Sequence, residues 1–197
     1  MATTYYFLPT RNLFGEDSVQ EDGTLMQSLG GKKALIVTDS FLAASGMAAS
    51  IQEILQKAGV HSVVFSGAEP NPKDTNVVSG LEVFRKGNCD SIISLGGGSS
   101  HDCAKAIGLV ASNGGDIRDY EGVDKSTKPM CPMIAINTTA GTASEITRFC
   151  IITDTSRHVK MAIVDWHVKY CSGSFQSNIL PNTFAQAWLM PGFVLFS

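Results

Sequence analysis

Three short polar segments carry residue types that could hold an anionic or hydroxyl-bearing ligand. The first is Gly96-Gly97-Gly98-Ser99, which directly follows an apolar run. Glycines let the backbone turn sharply and approach a ligand closely, and the amides that open a following helix attract an anion such as a pyrophosphate. The segment departs from the G-x-G-x-x-G dinucleotide fingerprint, because His101 stands where the third glycine would be. A tight strand-to-helix connection would need the same glycines, so both interpretations stay open.

Asp39 and the segment 137–145 are the other two candidates. Asp39 follows the apolar run 34–38, and an acidic group at the end of a strand can accept hydrogen bonds from a ribose diol. Its charge would also repel a 2′-phosphate and favour NAD over NADP. A helix cap explains Asp39 as well, and on this residue alone the cap is the simpler interpretation. The small hydroxyl residues of 137–145 could reach phosphate and ribose oxygens, although a polar turn ending in a cap explains the same letters.

Other chemistries leave no pattern in the sequence. The histidines, at 61, 101, 158 and 167, form no H-E-x-x-H motif or other metal-ligand spacing, and we interpret each as structural or on the surface. No G-x-S-x-G elbow indicates a hydrolase, and no P-loop occurs. The five cysteines contain no C-x-x-C pair, which predicts reduced thiols in a cytoplasmic protein.

These segments must be positioned by strands that alternate with helices. The apolar runs 34–38, 62–65, 91–95 and 133–137 predict strands. Helices are predicted over about 47–57, after a cap at Asp74 up to Gly87, and over about 102–110. The runs 150–153 and 160–164 predict a hairpin, and 5–14 predicts an edge strand or hairpin. Continuous apolar strands separated by helices indicate an α/β fold with a parallel sheet covered on both faces.

The composition bounds the class of protein. The chain has 197 residues, 44% of them hydrophobic, with 15 Lys+Arg against 18 Asp+Glu, which is typical of a soluble globular domain. A net charge of −3 without a basic run gives no footprint for nucleic acid. No stretch approaches the roughly 18–20 apolar residues that span a bilayer, and the N-terminus does not resemble a secretory signal. We therefore expect neither nucleic acid nor a membrane as a partner.

The C-terminal segment differs from the rest. Residues 170–197 contain no charged residue and hold six of the 16 aromatic residues. The surface of a domain needs charge, and this segment shows neither helical periodicity nor a bounded strand. We therefore predict one domain over 1–168 and an atypical uncharged tail over 169–197 that is not a domain.

Three sequence motifs, taken together, resemble those of a known family. Residues 69–72 (Glu-Pro-Asn-Pro), 94–99 with Asp102, and 137–145 have the types, order and spacing of the iron-dependent alcohol dehydrogenases. The likeness runs from about residue 5 to about 168 and is greatest to the branch with 1,3-propanediol dehydrogenase and lactaldehyde reductase. It implies a Rossmann-like NAD-binding domain followed by an all-helical metal domain, with the substrate in the cleft between them.

The resemblance also implies which residues bind NAD. Asp39 would recognise the adenosine ribose, and Asn71 would line the adenine side of the site. The pyrophosphate would lie against Gly97, Gly98 and Ser99.

Further positions follow from the same resemblance. Asp102 would lie near the nicotinamide. Three hydroxyl residues would line the cofactor cleft: Thr138, Thr139 and Thr142. Phe149 and Lys160 would lie beside the cofactor.

The family's metal ligands have no counterpart in the sequence. The family binds divalent iron through an Asp and three His, beginning at a motif similar to T-G-M-D-A-L-T-H, which is absent here. The likeness ends after Val168. We therefore expect a truncated N-terminal half, and our hypothesis is that a frameshift or early stop has replaced the second domain.

The implied function is reversible, NAD-dependent oxidation of a small primary alcohol or diol to an aldehyde, with iron as Lewis acid in the family. The alternative is a non-catalytic NAD(H)-binding remnant. The glycerol dehydrogenase and dehydroquinate synthase groups share the glycine loop, but the segment 137–145 argues against them. The sequence leaves the oligomeric state open, a homo-oligomer included.

Overall fold

A computed structural model describes residues 11–15, 17–139, 141–168 and 172–176 of the chain. The strands are β1 (Arg11–Gly15), β2 (Lys33–Val37), β3 (His61–Phe65), β4 (Ser91–Gly96), β5 (Gly122–Val123), β6 (Met133–Asn137), β7 (Phe149–Asp154), β8 (Val159–Val164) and β9 (Ser172–Gln176). The α-helices are α1 (Asp22–Ser28), α2 (Ser40–Ala44), α3 (Met47–Lys57), α4 (Asp74–Lys86) and α5 (Gly98–Asn113). Short 3-10 helices cover Ser18–Glu21 and Ile117–Tyr120.

Six parallel strands form the main sheet, in the order β1-β9-β6-β4-β2-β3. The register aligns the carboxyl ends of the central strands, since Val37 pairs with Ser94 and Gly96 pairs with Asn137. Every residue of β4 and β6 is buried. Burial on both faces explains why these strands are continuous apolar runs rather than alternating ones.

Helices cover both faces of the sheet. Leu35 and Val37 of β2 point into a core shared with α4 and α5, and the intervening Ala34 and Ile36 point into the core shared with α1 and α3. Successive side chains of a strand point to opposite faces, so each central strand contributes to both cores. This arrangement confirms the predicted Rossmann-like α/β fold.

A smaller sheet, β5-β8-β7, packs beside α5. Its strands β7 and β8 pair in antiparallel register from Phe149–Val164 to Asp154–Val159. The predicted hairpin is therefore confirmed. Within the hairpin, β7 packs against α5 and also contacts α4.

One predicted boundary is corrected, and two short helices are added. Helix α5 begins at Gly98 rather than near Asp102, because the glycines and serines of its first turn carry no apolar periodicity. Helices α1 and α2, of seven and five residues, are too short to show a helical repeat and were missed. Residues 5–10 of the predicted N-terminal strand lie outside the described residues.

The expectation of no bounded strand in the tail is wrong for Ser172–Gln176. These residues form β9, which pairs in parallel with β1 on one side and β6 on the other. The sequence of β9 shows no strand pattern, and main-chain hydrogen bonds to the two neighbouring strands hold it in the sheet. In the described part of the chain, no helix is long and apolar enough to cross a bilayer.

Candidate functional site

A cavity of about 270 Å³ opens at the carboxyl edge of the main sheet. Its lining comes from the ends of β2, β4 and β6 and from the loop after β3: Asp39, Ala68, Glu69, Pro70, Gly97, Gly98, Ser99, Ser100 and Thr139. Strands β2 and β4 are neighbours in the sheet, and the chain continues from β2 to β3 in one direction across the sheet and from β4 to β6 in the opposite direction. Such a point of reversal is where open α/β sheets bind their ligands.

The glycine loop brings the backbone close to this cavity. A Cβ atom at Gly97 would lie 2.6 Å from Oγ1 of Thr139, and one at Gly98 would lie 2.6 Å from Oγ1 of Thr142. Neither position therefore has room for a larger residue unless a threonine moves. Glycine here leaves a backbone surface that a ligand can approach closely.

The same loop opens helix α5 without a side-chain cap. The first amide of the helix with a partner inside it is that of His101, which donates to the carbonyl of Gly97 at 3.1 Å. The amides of the first turn precede it and point out of the helix end toward the cavity, where the helix dipole is positive. A helix end of this kind can attract an anion such as a phosphate.

Asp39 is the cap of α2, as one interpretation of its position predicted, and it also borders the cavity. Its Oδ1 accepts a hydrogen bond from the amide of Leu42 at 2.8 Å and so caps α2, and the residue also lines the cavity. Glu69 is a second carboxylate in the lining. Lys73 donates to Glu69 at 2.8 Å and lowers the pKa of that carboxyl. The cavity lining therefore combines two carboxylates with the positive end of α5.

A buried histidine fixes the base of the glycine loop. His101 Nδ1 accepts from the hydroxyl of Ser94 at 2.6 Å, and Nε2 donates to Oδ1 of Asn137. Burial lowers the pKa of His101 to about 4, so the ring is neutral at physiological pH. The three residues tie β4, α5 and β6 together directly beneath the cavity.

A second buried network lies two turns along α5. The ammonium group of Lys105 donates to the carbonyl oxygens of Ser144, Thr147 and Phe149 at 2.5, 2.9 and 2.8 Å. Asp102 accepts from the hydroxyl of Ser144 at 2.7 Å. Burial lowers the pKa of Lys105 to about 8 and raises that of Asp102. This network joins the helix to the segment that follows β6.

Comparison with known proteins identifies the chain. The model of the iron-containing alcohol dehydrogenase family matches residues 9–169. The chain belongs to this family. It is 51% identical over 163 residues to a 1,3-propanediol dehydrogenase of Citrobacter freundii and 49% identical over 162 residues to an NAD-dependent methanol dehydrogenase of Bacillus methanolicus. A crystal structure of a 1,3-propanediol oxidoreductase superimposes with a TM-score of 0.87 at 43% identity.

The match to this iron-containing alcohol dehydrogenase family covers only part of the relatives. The two curated proteins match 82% of this chain but 42% of their own length, and the solved structure matches 94% of this chain and 50% of its own. The chain thus spans about half the length of these relatives. The predicted resemblance to the N-terminal portion of the family is confirmed.

The structure brings most of the predicted cofactor residues to one place. Five of them line the cavity: Asp39, Gly97, Gly98, Ser99 and Thr139. Thr142 lies against Gly98, and the amide of Thr138 donates to the carbonyl of Gly96 at 2.9 Å between two strand ends. The role of each residue toward a cofactor stays a prediction.

The other predicted residues do not line this cavity. Lys160 donates to Oδ1 of Asn71 at 2.6 Å, which joins β8 to the loop before α4. Asp102 and Phe149 belong to the Lys105 network, in which Phe149 contributes its carbonyl oxygen and has a half-exposed side chain. The hydrogen bonds of these four residues connect the hairpin to α5 and to the loop before α4.

The sequence motifs assign no individual role to three polar residues in or near the site: Glu69, Lys105 and Ser144. His101 has the structural role predicted for it. Lys105 carries a signal in the sequence, because it lies among apolar residues in the predicted helix 102–110. A lysine is rarely fully buried unless it is paired.

The described residues do not fit the family's metal. Over the ranges that the structure describes, no three His, Cys, Asp or Glu side chains are placed to hold an ion together. His101, the buried histidine, already uses both ring nitrogens.

Proposed function

We propose that this chain binds NAD(H) as part of an alcohol dehydrogenase that interconverts a small primary alcohol or diol and its aldehyde. One observation carries the proposal. The open end of α5, with two glycines at which a Cβ would meet a threonine hydroxyl, lies beside Asp39 at the point of strand reversal. An anion site next to a carboxylate suits a molecule that joins a pyrophosphate to a ribose diol.

The residues present fit the dinucleotide. Gly97 and Gly98 would face the pyrophosphate, and the amide of Ser99 would donate to it. Asp39 has a second carboxylate oxygen beyond the one that caps α2, and this oxygen would accept from the ribose hydroxyls. When bound, NAD supplies the carbon that accepts the hydride. The chain's own part is to bind and orient the cofactor.

Charge favours NAD over NADP in this proposal. Asp39 and Glu69 both line the cavity, and a 2′-phosphate on the adenosine ribose would lie in their field. Lys73 neutralises part of the charge of Glu69 but is not bonded to Asp39. The discrimination would therefore rest mainly on Asp39.

The substrate class rests on the relatives. The two curated proteins are by name a methanol dehydrogenase and a 1,3-propanediol dehydrogenase, and both names specify small primary alcohols. We extend this class to the present protein. Because the described residues do not form a metal site, this chain's residues are assigned cofactor binding and orientation, not polarisation of the alcohol oxygen.

Titration of the full chain with NADH and with NADPH, followed by nicotinamide fluorescence, tests cofactor binding. We expect saturable NADH binding and at least about tenfold weaker NADPH binding, which corresponds to about 1.4 kcal/mol. The absence of saturable NADH binding would refute the proposal. Equal affinity for both cofactors would refute the role of the carboxylates.

Turnover is a separate measurement. NADH formation from methanol, ethanol or 1,3-propanediol, with and without added Fe²⁺, would follow the reaction directly. Turnover supports the dehydrogenase, whereas NADH binding without turnover favours the non-catalytic NAD(H)-binding alternative.

Several expectations stay predictions. These are the division into a domain over 1–168 and a tail over 169–197, the cytoplasmic location, the truncation and a homo-oligomer. Reading the encoding DNA past codon 168 in all three frames tests the frameshift. The hypothesis fails if no frame restores the family's metal-ligand motif.

A further inference from the structure

Lys105 is a fully buried lysine that joins two parts of the site. It lies on α5, and its exposed fraction is 0%. Its three ammonium protons face carbonyl oxygens of one short segment, Ser144–Phe149, and the hydroxyl of Ser144 lies 3.3 Å away. A single side chain therefore ties the main chain of that segment to the helix at three points.

Asp102 reinforces this connection from the previous turn of α5. Residues three apart on a helix lie on the same face, so Asp102 and Lys105 meet the same segment. The carboxylate accepts from the hydroxyl of Ser144 at 2.7 Å and from the amide of Ile151 at 3.1 Å. The partly buried carboxylate of Asp102 faces a hydroxyl and an amide donor, and the buried ammonium group of Lys105 faces carbonyl acceptors. We call Asp102, Lys105 and Ser144 the loop clamp.

The loop clamp reaches the cavity through Thr142. The amide of Ser144 donates to Oγ1 of Thr142 at 3.3 Å, and this hydroxyl lies against Gly98. Gly98 is the first residue of α5, and Lys105 lies two turns further along the same helix. Both ends of the path are thus fixed to one rigid element, and the segment after β6 is held over the glycine loop.

We propose that Lys105 is a positioning residue for the nicotinamide cofactor, which acts through the loop clamp by holding the segment 142–149 against the glycine loop. The inference rests on the proposed NAD(H) binding. Any buried ammonium group needs acceptors, and Lys105 finds three of them in one segment, 144–149, which Thr142 connects to the glycine loop. An apolar side chain of similar volume would fill the same space and is often at least as stabilising as a buried charge.

Two variants and one control separate positioning from folding. Lys105→Met keeps the volume and removes the charge and the donors. Ser144→Ala removes a hydroxyl that both charged residues use and leaves the carbonyl in place. Lys86→Met is the matched control, since this lysine lies on α4 with a side chain that is 79% exposed.

The first readout is the NADH dissociation constant of each full-length variant, measured by fluorescence at a temperature where all are folded by circular dichroism. We expect a rise of at least about tenfold for Lys105→Met and of roughly threefold to tenfold for Ser144→Ala, in line with hydrogen bonds to charged and neutral groups. Lys86→Met should stay within twofold. If Lys105→Met does not fold, Ser144→Ala decides the question.

The second readout is amide hydrogen exchange by mass spectrometry, which a purely structural role would change differently. We expect faster exchange confined to peptides covering 142–149, with the strands of the main sheet unchanged. Unchanged NADH affinity in the folded variants overturns the inference, as does faster exchange throughout the sheet. No NADH binding by the unaltered chain would refute the proposed function itself, and the inference would fall with it.

Discussion

Replacing Gly97 by alanine should abolish most of the NADH affinity and leave the fold intact. The backbone of Gly97 has φ −99° and ψ −167°, which any residue can adopt, so alanine introduces no backbone strain there. The added methyl would instead occupy the surface that we assign to the pyrophosphate. Because alanine changes the cavity surface but not the backbone conformation, the substitution tests ligand binding separately from folding.

We expect Gly97→Ala to change the free energy of unfolding very little. The new Cβ would lie 2.6 Å from Oγ1 of Thr139, while the other two nearest atoms of that threonine are 3.8 and 3.9 Å away. Rotating one hydroxyl out of the way costs about 1 kcal/mol. Replacing glycine where the conformation allows it returns about 0.4–1 kcal/mol through the unfolded chain. The free energy of unfolding should therefore change by less than about 1 kcal/mol.

We expect the same substitution to cause a large loss of NADH affinity. A methyl between the loop and a pyrophosphate would break about two charge-assisted hydrogen bonds, each worth about 1.5–3 kcal/mol. The loss of about 3–6 kcal/mol weakens binding by at least roughly 100-fold. Fluorescence titration with NADH measures the affinity, and urea unfolding of the same samples measures the free energy of unfolding.

A double variant distinguishes the two possible collisions. Thr139→Ala removes the atom that the new methyl would contact and serves as the reference for Gly97→Ala/Thr139→Ala. If the methyl blocks the cofactor, the double variant binds NADH as weakly as Gly97→Ala does. Recovery of affinity, or a Gly97→Ala variant within threefold of the original chain, would show that the glycine loop is only a turn.

Asp39→Asn keeps a residue able to cap α2 and removes the charge, so the ratio of NADPH to NADH affinity should rise at least about tenfold; an unchanged ratio in paired titrations contradicts the ribose role. The pKa of His101 is about 4 in the folded chain against 6.5 ordinarily, so the unfolded chain binds the extra proton between these values. Acidification from pH 6.5 to 4 should thus cost about 3 kcal/mol of unfolding free energy through this residue, and urea unfolding of His101→Gln should lack that part. The pKa of Lys105 is about 8 against 10.5, so its contribution to unfolding free energy should rise with pH across that window and vanish in Lys105→Met.

The central sheet could be predicted because burial on both faces leaves a direct trace in the sequence. Residues 133–137 were predicted as a strand with the bounds that β6 has, and 47–57 as a helix with those of α3. The glycine loop could be located for the same reason, since it follows a continuous apolar strand. Local pattern and tertiary environment agree at these places.

The rest depends on contacts between distant residues. The loop clamp joins Lys105 to carbonyls some 40 positions later, and main-chain acceptors have no sequence signature. The start of α5 was missed because its first turn is built of glycine and serine, whose local preference is for turns. Its helical conformation is imposed by the strand that precedes it and the core that its later turns fill.

The position of β9 has a consequence for the order in which the chain can fold. Strand β1 pairs in the main sheet with β9, about 160 residues away along the chain. During synthesis, β2, β3, β4 and β6 can associate while β1 still lacks its neighbour. Until residues 172–176 emerge from the ribosome, β6 is an open edge where another chain can add. Strand β9, the last described strand, fills the position between β1 and β6. Folding of the sheet should therefore stay incomplete until nearly all described residues have been made.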